Sequence, residues 1–465
     1  MGKGLSLVSV ERICPDIYHP AVARDGLLTR LRIPGGVLNV EQCLAIADLL
    51  AATGLNYVQV TNRANLQFRG LNQDLDQSLI PRLIAVGLVS ANRAIDGIRN
   101  IMASPIAGID QTELIDVRPL VAAWDEYLTA HPELGVLSNK FSVGFDGAGS
   151  VSILDRPNDL TLLAVSEREF LLHLPSGFMR LGVDECIPML GRIAESYRVR
   201  CEGGKVRLRE VIEEVHGDLL RSGVYLMPRG TEVALRGTEG FVYSHLGVFG
   251  QKQVGLSYVG VVLPLGRWGL EQVRGLCAIA SQYGSGTIRL TPWQNAIVSD
   301  IRDEDVSKVQ GLINELGLDV GANQLDGLLM ACAGTSGCQY SATDTQGDAL
   351  ALSAYLAARV ELDIPLNVHF SGCEKSCAQH YQADIALWGC AKTSERAGGY
   401  RLCIGGVEGR FGRELRDYLP AEDVQVAIEH LIHFYQKQRA SPRESFQTFT
   451  NRQSLAQLQQ VLHVI

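Results

Sequence analysis

The fold is decided by the stretch LRIPGGVLNVEQCLAIADLLAATGLNYVQVTNRANLQFRG at residues 31–70, because the chain repeats its pattern at residues 261–300 as VVLPLGRWGLEQVRGLCAIASQYGSGTIRLTPWQNAIVSD. Pro34 and Asn65 of the first copy match Pro264 and Asn295 of the second, each pair 230 residues apart. A single constant offset over forty residues without a gap is rarely a product of chance. The chain therefore consists of two related halves.

Each copy predicts the same small structural unit. A short apolar strand ends at Pro-x-Gly, a helix with apolar residues at helical spacing follows, and Gly54 or Gly284 ends that helix. A β-rich strand then leads into Thr-x-x-x-Asn. Units of this strand–helix–strand type build small α/β or ferredoxin-like layers. A pseudo-twofold arrangement of the two copies would leave a ligand cleft between the halves.

The bulk composition excludes several classes of protein. The chain has 465 residues, a net charge of −9 and no concentrated basic segment, so nucleic acid is not an expected partner. The longest apolar run, at 256–265, is much shorter than the ~20 residues of a membrane helix. No secretory signal is visible at Met1 to Val10, and eleven cysteines, an odd number, argue against a disulfide scaffold. These features predict a cytoplasmic protein without a membrane segment.

Four cysteines carry the strongest chemical signal. Cys332 and Cys338 are separated by five residues, thirty-four residues follow, and Cys373 and Cys377 are separated by three. Iron–sulfur clusters take four thiolates, whereas structural zinc sites prefer two to four residues between paired ligands. We therefore predict a [4Fe–4S] cluster, with structural zinc or coincidental core thiols as the alternatives. Cys390 is interpreted as a nearby packing thiol.

Six segments in this order resemble the nitrite and sulfite reductase superfamily: IPGG, TNRANLQFRG, IRNIMASP, LSNKFSVGFDG, ACAGTSGC and SGCEKSCAQHYQADIALWG. The resemblance extends from about Asp25 to Cys390. It implies a pseudo-twofold duplicated α+β fold with two ferredoxin-like half domains and two larger α+β domains. The predicted divisions are half domain 1 at 20–88, α+β domain 1 at 89–245, half domain 2 at 246–320, the iron–sulfur domain at 321–440 and a tail at 441–465.

The same resemblance implies a site at the interface of the domains. Members of the superfamily bind sirohaem there, and the position of Cys377 bridges the cluster to the sirohaem iron. The arginines and the lysine that hold the anionic substrate correspond to Arg63, Arg99 and Lys140, which are the predicted catalytic residues. Arginine suits this role because its planar fork binds carboxylates with two hydrogen bonds. The predicted set for binding substrate or tetrapyrrole is Arg63, Asn65, Gln67, Arg69, Arg99, Lys140 and Ser142.

Two departures from the reductase pattern shape the functional hypothesis. Asn139 stands where reductases have arginine, and Ser142 stands where they have lysine or asparagine. This loss of charge, with the segment KFSVGFDGAGS, resembles the precorrin-3B synthase branch. That branch implies an oxygen-dependent hydroxylation of precorrin-3A with lactone formation, in aerobic cobalamin biosynthesis, with a mononuclear iron possible beside the cluster.

Two alternative functions stay open. One is a ferredoxin-dependent sirohaem nitrite or sulfite reductase acting on a small anion, and the other is a tetrapyrrole carrier without catalytic activity. No Rossmann phosphate loop is visible, so electrons are expected from ferredoxin or from a separate NADH-linked reductase. His380, three residues after Cys377, is interpreted as a structural residue, with a nitrogen ligand or proton donor as the alternative.

Overall fold

The structure is a computed structural model that describes residues 14–201, 206–221, 244–321, 325–380, 383–394, 396–405 and 411–462. The segment at Met1 to Val10, on which the expectation about a secretory signal was based, lies outside these residues. The strands are β1 Ala21–Ala23, β2 Gly26–Leu31, β3 Val37–Asn39, β4 Tyr57–Val60, β5 Leu66–Leu71, β6 Ile101–Ala103, β7 Val143–Asp146, β8 Leu160–Ala164, β9 Glu169–Leu174, β10 Gly177–Gly182, β11 Gly247–Gly250, β12 Leu256–Val261, β13 Arg267–Gly269, β14 Thr287–Leu290, β15 Ala296–Arg302, β16 Leu329–Ala331, β17 Val368–Ser371, β18 Ile385–Cys390, β19 Gly399–Ile404 and β20 Arg413–Pro420.

The helices alternate with these strands in both halves of the chain. They are α1 Val40–Thr53, α2 Ile80–Ala85, α3 Arg93–Asp96, α4 Arg118–Ala130, α5 Cys186–Val199, α6 Ile212–Arg221, α7 Leu270–Tyr283, α8 Val306–Glu315, α9 Gly334–Gly337, α10 Thr345–Ala357, α11 Val424–Gln438, α12 Phe446–Arg452 and α13 Leu455–Val461.

The two small units exchange a strand. Their sheets have the orders β1-β2-β5-β4-β13 and β11-β12-β15-β14-β3, so each sheet has four strands from its own half and one from the other half. Trp268 of β13 pairs with Val58 of β4, and Leu38 of β3 pairs with Ile288 of β14. The helices α1 and α7 pack against each other, and one hydrophobic core spans both units. Neither unit therefore completes its sheet without the other half.

The sequence explains how each copy turns into its helix. Asn39 caps α1 by accepting a hydrogen bond from the Gln42 amide at 2.9 Å, and Gly54 ends the helix in the left-handed conformation. Gly36 and Gly266 both have positive φ, and a Cβ atom on either would lie 2.7 Å from a backbone carbonyl of the opposite half. Both Pro-x-Gly turns thus need glycine because the two halves meet there.

The two larger units share a second repeated topology. In β6-β7-β8-β9-β10 the first three strands are parallel and the last two antiparallel, and β16-β17-β18-β19-β20 has the same arrangement. The helices α4 and α5 contribute to the core of the first sheet, and α10 and α11 contribute to the core of the second. The core of the second sheet also includes residues of the C-terminal α12 and α13. The domain boundaries given above stay predictions.

None of the helices in the described part of the chain is long and apolar enough to cross a membrane.

Candidate functional site

The duplicated sheet topology brings the four cysteines of the motif together. Cys332 directly follows β16 and Cys338 directly follows α9, whereas Cys373 and Cys377 lie in the loop after β17. Because β16 and β17 are neighbouring parallel strands, their carboxyl ends meet at the same edge of the sheet. All four side chains line one cleft, and all eleven cysteines of the chain are free thiols.

Backbone contacts hold the two cysteine loops against each other. The Gly372 amide donates a hydrogen bond to the Cys332 sulfur at 3.2 Å, and the Ala342 amide donates to the Gly372 carbonyl at 2.8 Å. A Cβ atom on Gly372 would lie 1.7 Å from the Ser341 hydroxyl oxygen, so only glycine fits between the loops. An amide directed at a ligand sulfur is the kind of contact that tunes an iron–sulfur centre.

The chemistry of this donor set fits an iron–sulfur cluster. Burial raises the pKa of the Cys377 thiol, and the neighbouring Cys332, Cys373 and Cys338 raise it further. Four thiolates in one place repel each other unless a positive metal centre compensates their charge. Cys390, at the end of β18, is not among the described residues that line the cleft, and its interpretation as a packing thiol stays a prediction.

The cleft has a volume of about 1120 Å³ and a strongly cationic lining. The first small unit forms one wall, the amino ends of β6 and β7 contribute a second, and the cysteine loops form the third. Among the described lining residues there is no aspartate and no glutamate. The cationic side chains are Arg24, Arg30, Arg32, Arg63, Arg69, Lys140 and Arg207. A cleft with charge of one sign focuses its field and attracts anions of the opposite sign.

Two of these arginines are fixed by acceptors in the walls. Arg63 donates from Nη1 to the Asn158 side-chain oxygen at 2.9 Å and from Nη2 to the Pro157 carbonyl at 2.7 Å. Arg69 forms an ion pair with Asp25 at 3.0 Å and donates to the Gly337 carbonyl at 2.7 Å. The guanidinium groups are therefore already in place for an anionic ligand.

Three further arginines of the cleft, Arg30, Arg32 and Arg207, are partly or fully buried. Burial, and then the charge of the neighbouring Arg32, lower the pKa of Arg30 to about 10. Arg32 is 2% exposed, and its Nε atom has no hydrogen-bond partner in the described structure. Arg207 forms an ion pair with Asp159 at 3.2 Å, and its Nε atom is also buried without a partner. Unmatched donors of this kind suit the carboxylates on the rim of a tetrapyrrole.

The structure brings five of the predicted binding residues to the cleft. They are Arg63, Asn65, Gln67, Arg69 and Lys140. Asn65 has its side-chain oxygen occupied by the Ile33 amide at 2.7 Å, which leaves its amide nitrogen as the available group. His380 also lines the cleft.

Arg99 and Ser142 are not brought to the cleft. Arg99 is buried, and its Nε and Nη2 atoms donate to the two carboxylate oxygens of Asp125 at 2.7 and 2.8 Å. Its neighbour Asn100 lines the cleft instead, because the side chains of adjacent extended residues point to opposite sides. Ser142 is buried, and its amide and hydroxyl both donate to Asp159. The prediction that Arg99 and Ser142 contact the ligand is therefore replaced: both side chains make structural contacts within the protein.

Sequence reasoning missed four of the cationic lining residues, namely Arg24, Arg30, Arg32 and Arg207. Comparison of the two copies contained a signal for two of them. At the constant offset, Gly260 stands opposite Arg30 and Val262 stands opposite Arg32. A charge present in only one copy of a repeat indicates a function that only one half has retained.

The place in the second half that corresponds to the cleft is filled with apolar side chains. Val262, Trp293 and Ile297 occupy the places of Arg32, Arg63 and Gln67, and they belong to a buried apolar cluster. That cluster also contains Ile106, Ile109, Val151, Leu246, Tyr258, Leu328 and Met330. The pseudo-twofold fold thus holds one open, cationic cleft and one closed, apolar counterpart.

No group of three or more histidine, cysteine, aspartate or glutamate side chains in the described ranges is arranged to hold a single metal ion. The mononuclear iron of the precorrin hypothesis and the zinc alternative would each need such a group. A [4Fe–4S] cluster is larger than one ion and spreads its four thiolates over a wider space.

The duplicated fold and the four-cysteine cleft define an iron–sulfur oxidoreductase, and comparison with known proteins narrows this class. The profile of the nitrite/sulfite reductase ferredoxin-like half domain matches residues 20–84 and 249–316. The profile of the nitrite and sulphite reductase 4Fe-4S domain matches residues 94–183 and 328–463. The chain belongs to the nitrite and sulfite reductase family.

Individual relatives cover almost the whole chain. A ferredoxin–nitrite reductase of Synechococcus elongatus is 31% identical over 90% of this chain and 87% of its own length. A chloroplastic ferredoxin–nitrite reductase of Zea mays is 30% identical over 92% and 82%. A ferredoxin sulfite reductase of Mycolicibacterium paratuberculosis is 25% identical over 89% and 80%. The structure of the Mycobacterium tuberculosis NirA protein superposes with a TM-score of 0.77 at 21% identity, covering 93% of this chain and 84% of that one.

These findings confirm the fold and correct the function. The predicted duplicated fold with two ferredoxin-like half domains is confirmed, and the matched 4Fe-4S domain supports the predicted cluster. The prediction of a precorrin-3B synthase-like monooxygenase is wrong, because the relatives that match most of the chain are named ferredoxin–nitrite reductases and a sulfite reductase. Precorrin-3A as substrate and a role in cobalamin biosynthesis find no support in these relatives.

Proposed function

We propose that this protein is a ferredoxin-dependent sirohaem nitrite reductase. The observation that carries the proposal is the cleft itself, which joins seven cationic side chains, no described carboxylate and the four cysteines of the motif, Cys332, Cys338, Cys373 and Cys377. Relatives named ferredoxin–nitrite reductase are up to 31% identical, against 25% for the sulfite reductase. The eleven free thiols favour a reducing compartment such as the cytoplasm.

The proposed reaction fits a cationic cleft. Nitrite takes up six electrons and eight protons and yields ammonium and two water molecules. Bound sirohaem would supply the iron at which nitrogen is reduced, and the cluster would pass on electrons from ferredoxin. The part of this chain is to bind the anion, to hold the macrocycle and to keep the four thiolates in place.

We assign these tasks to separate parts of the cleft. Arg63 and Lys140 bind the nitrite oxygens, because both line the cleft and stand at the positions that the family resemblance gives to the anion. The partly unpaired guanidiniums of Arg32 and Arg207 bind carboxylates of the macrocycle. Cys377, which lines the cleft, would be the cluster ligand that contacts the sirohaem, as the family resemblance implies. The cluster ligands are Cys332, Cys338, Cys373 and Cys377.

An absorption spectrum with an iron count tests this proposal first. Protein expressed with sirohaem supply should show strong Soret and red bands and about five iron atoms per chain, four in the cluster and one in the macrocycle. With reduced ferredoxin and nitrite it should then release ammonium. Absence of tetrapyrrole bands under these conditions, or no ammonium from fully loaded enzyme, would refute it.

A competition between anions decides the substrate. We expect kcat/KM for nitrite to exceed that for sulfite, and a reversed order would assign the site to sulfite. Lys140→Gln should raise the KM for nitrite by about tenfold, since it removes one charge from the cleft. Lys437→Gln, on the exposed face of α11, is the matched control and should leave the kinetics unchanged.

A further inference from the structure

The proposed reaction makes a demand that the cationic lining does not meet. Reduction of nitrite consumes eight protons, and these protons must reach a site inside the cleft. Six of the seven lining cations are arginines, which stay protonated near neutral pH and do not release protons there, and the seventh, Lys140, is assigned to the nitrite oxygens. The described lining contains no carboxylate that could act as a proton carrier. The inference below rests on the proposed function.

His380 is the only imidazole among the described residues that line the cleft. Its side chain is exposed, and it lies where the cleft meets a narrow side cavity. The side cavity is lined by Asn62, Arg63, Met102, Arg156, Pro157 and His380. Asn62 donates to the Cys377 carbonyl at 3.3 Å, so the wall of the side cavity is joined to the cysteine loop. His380 therefore contacts solvent on one side and the reaction space on the other.

Two other histidines of the described structure are unsuited to carry protons. Burial, and then the charge of His380, lower the pKa of His369 to about 3. Burial, then the charge of Arg156, lowers the pKa of His245 to about 3. Both rings stay neutral at physiological pH. An exposed imidazole, by contrast, ordinarily changes its charge between pH 5 and 8, which is the range a proton carrier needs.

We propose that His380 is the proton-entry residue of the cleft. The imidazolium ring gives one proton to water or substrate in the cleft and takes one from solvent, while the electrons come from the reduced donor. The charged groups around it are Arg63 and Arg156 across the side cavity, Lys140 and the cysteine ligands across the cleft, and Lys375 and His369 from the neighbouring loop and strand.

His380→Gln tests the proposal in enzyme that carries both the cluster and sirohaem. His433→Gln, on the exposed face of α11, is the control. With nitrite and a reduced viologen dye as donor, kcat of His380→Gln should fall about 100-fold at pH 8 and less at pH 6. The KM for nitrite and the absorption spectrum should stay unchanged. Added imidazole should restore part of kcat, a result that a merely structural role would not give.

A labelling experiment supplies a readout that does not depend on turnover. Diethylpyrocarbonate should modify His380 in the tetrapyrrole-free protein, measured by peptide mass spectrometry, because its ring is exposed. An unlabelled His380 beside a labelled His433 would overturn the proposal. If wild-type enzyme reduces nitrite and His380→Gln keeps its kcat and pH profile, the proton-entry role fails and the reductase stands. Fully loaded wild-type enzyme that leaves nitrite unreduced overturns both.

Discussion

Replacing Arg99 with alanine distinguishes an anion-binding arginine from a buried structural one. The family resemblance placed Arg99 at the substrate, whereas the structure turns its guanidinium to Asp125 with contacts of 2.7 and 2.8 Å. Asp96 lies 3.9 Å from the same guanidinium. We expect Arg99→Ala to lower the stability of the first larger unit and to leave nitrite binding unchanged.

The magnitude follows from the burial of the pair. The Arg99 side chain is 7% exposed and that of Asp125 is 23% exposed. Removing one partner of a buried ion pair costs about 3–5 kcal/mol, and the partial exposure of Asp125 favours the lower end. A loss of about 3 kcal/mol corresponds to a decrease in Tm of about 6–12 °C for a unit of this size.

Urea unfolding followed by tryptophan fluorescence is the appropriate assay, because the buried Trp124 precedes Asp125 in α4. A double-mutant cycle with Asp125→Ala should give a coupling energy of about 2 kcal/mol or more. Arg63→Ala serves as the counterpart, and it should weaken nitrite binding about tenfold or more with a smaller loss of stability. If Arg99→Ala weakens nitrite binding while the midpoint of unfolding stays unchanged, Arg99 contacts the ligand and the structural assignment is refuted.

Three further predictions address pH, the cluster and the macrocycle. Burial raises the pKa of Asp96 to about 6, above its unfolded value of ~3.9, so the folded state binds the proton more tightly and loses stability as the pH rises through 6. Asp96→Asn should remove about 2 kcal/mol of this pH dependence between pH 4.5 and 7.5, measured by urea unfolding. Cys377→Ser should lose the cluster absorption and most of the iron, whereas Cys390→Ser should keep both. Arg207→Ala should lower the amount of sirohaem that stays bound per chain after dilution by about tenfold. The substitution removes a guanidinium group whose buried Nε atom has no hydrogen-bond partner in the described structure.

Each of these predictions has a result that contradicts it. An unchanged pH dependence in Asp96→Asn would mean that this carboxylate is charged at pH 5. Equal iron content in the Cys377→Ser and Cys390→Ser variants would remove Cys377 from the ligand set. Retention of sirohaem in Arg207→Ala would show that this arginine does not contact the macrocycle.

The error in the functional hypothesis has a physical cause. Asn139 and Ser142 were interpreted as a loss of positive charge at the substrate side, because the reductases carry more charge along that run. In the folded protein the charge of the cleft is the sum over several elements. Arg30, Arg32 and Arg207 supply positive charge from other parts of the chain. A short sequence motif contains no information about the charge that distant parts of the chain bring to the cleft.

The sequence by itself determined the duplication and singled out the four cysteines that line the cleft. The constant offset of 230 residues implies two equivalent units, and it holds for the strands and helices of the small units from β2/β12 to β5/β15. The spacing also predicted that Cys332, Cys338, Cys373 and Cys377 form two pairs in short loops, which is the pattern typical of cluster ligands. These properties are local or periodic along the chain, so they survive without knowledge of the fold.

Only the tertiary structure decided which side chains meet. The exchange of β3 and β13 between the sheets and the convergence of arginines on one cleft depend on contacts between distant residues. The orientation of Arg99 toward Asp125 depends on the packing of the chain before β6 against α4. The burial of Trp293 in an apolar cluster, at the place in the second half that corresponds to the cleft, is likewise decided by tertiary packing. Side-chain direction and long-range proximity are set by packing, and the linear sequence does not encode them locally.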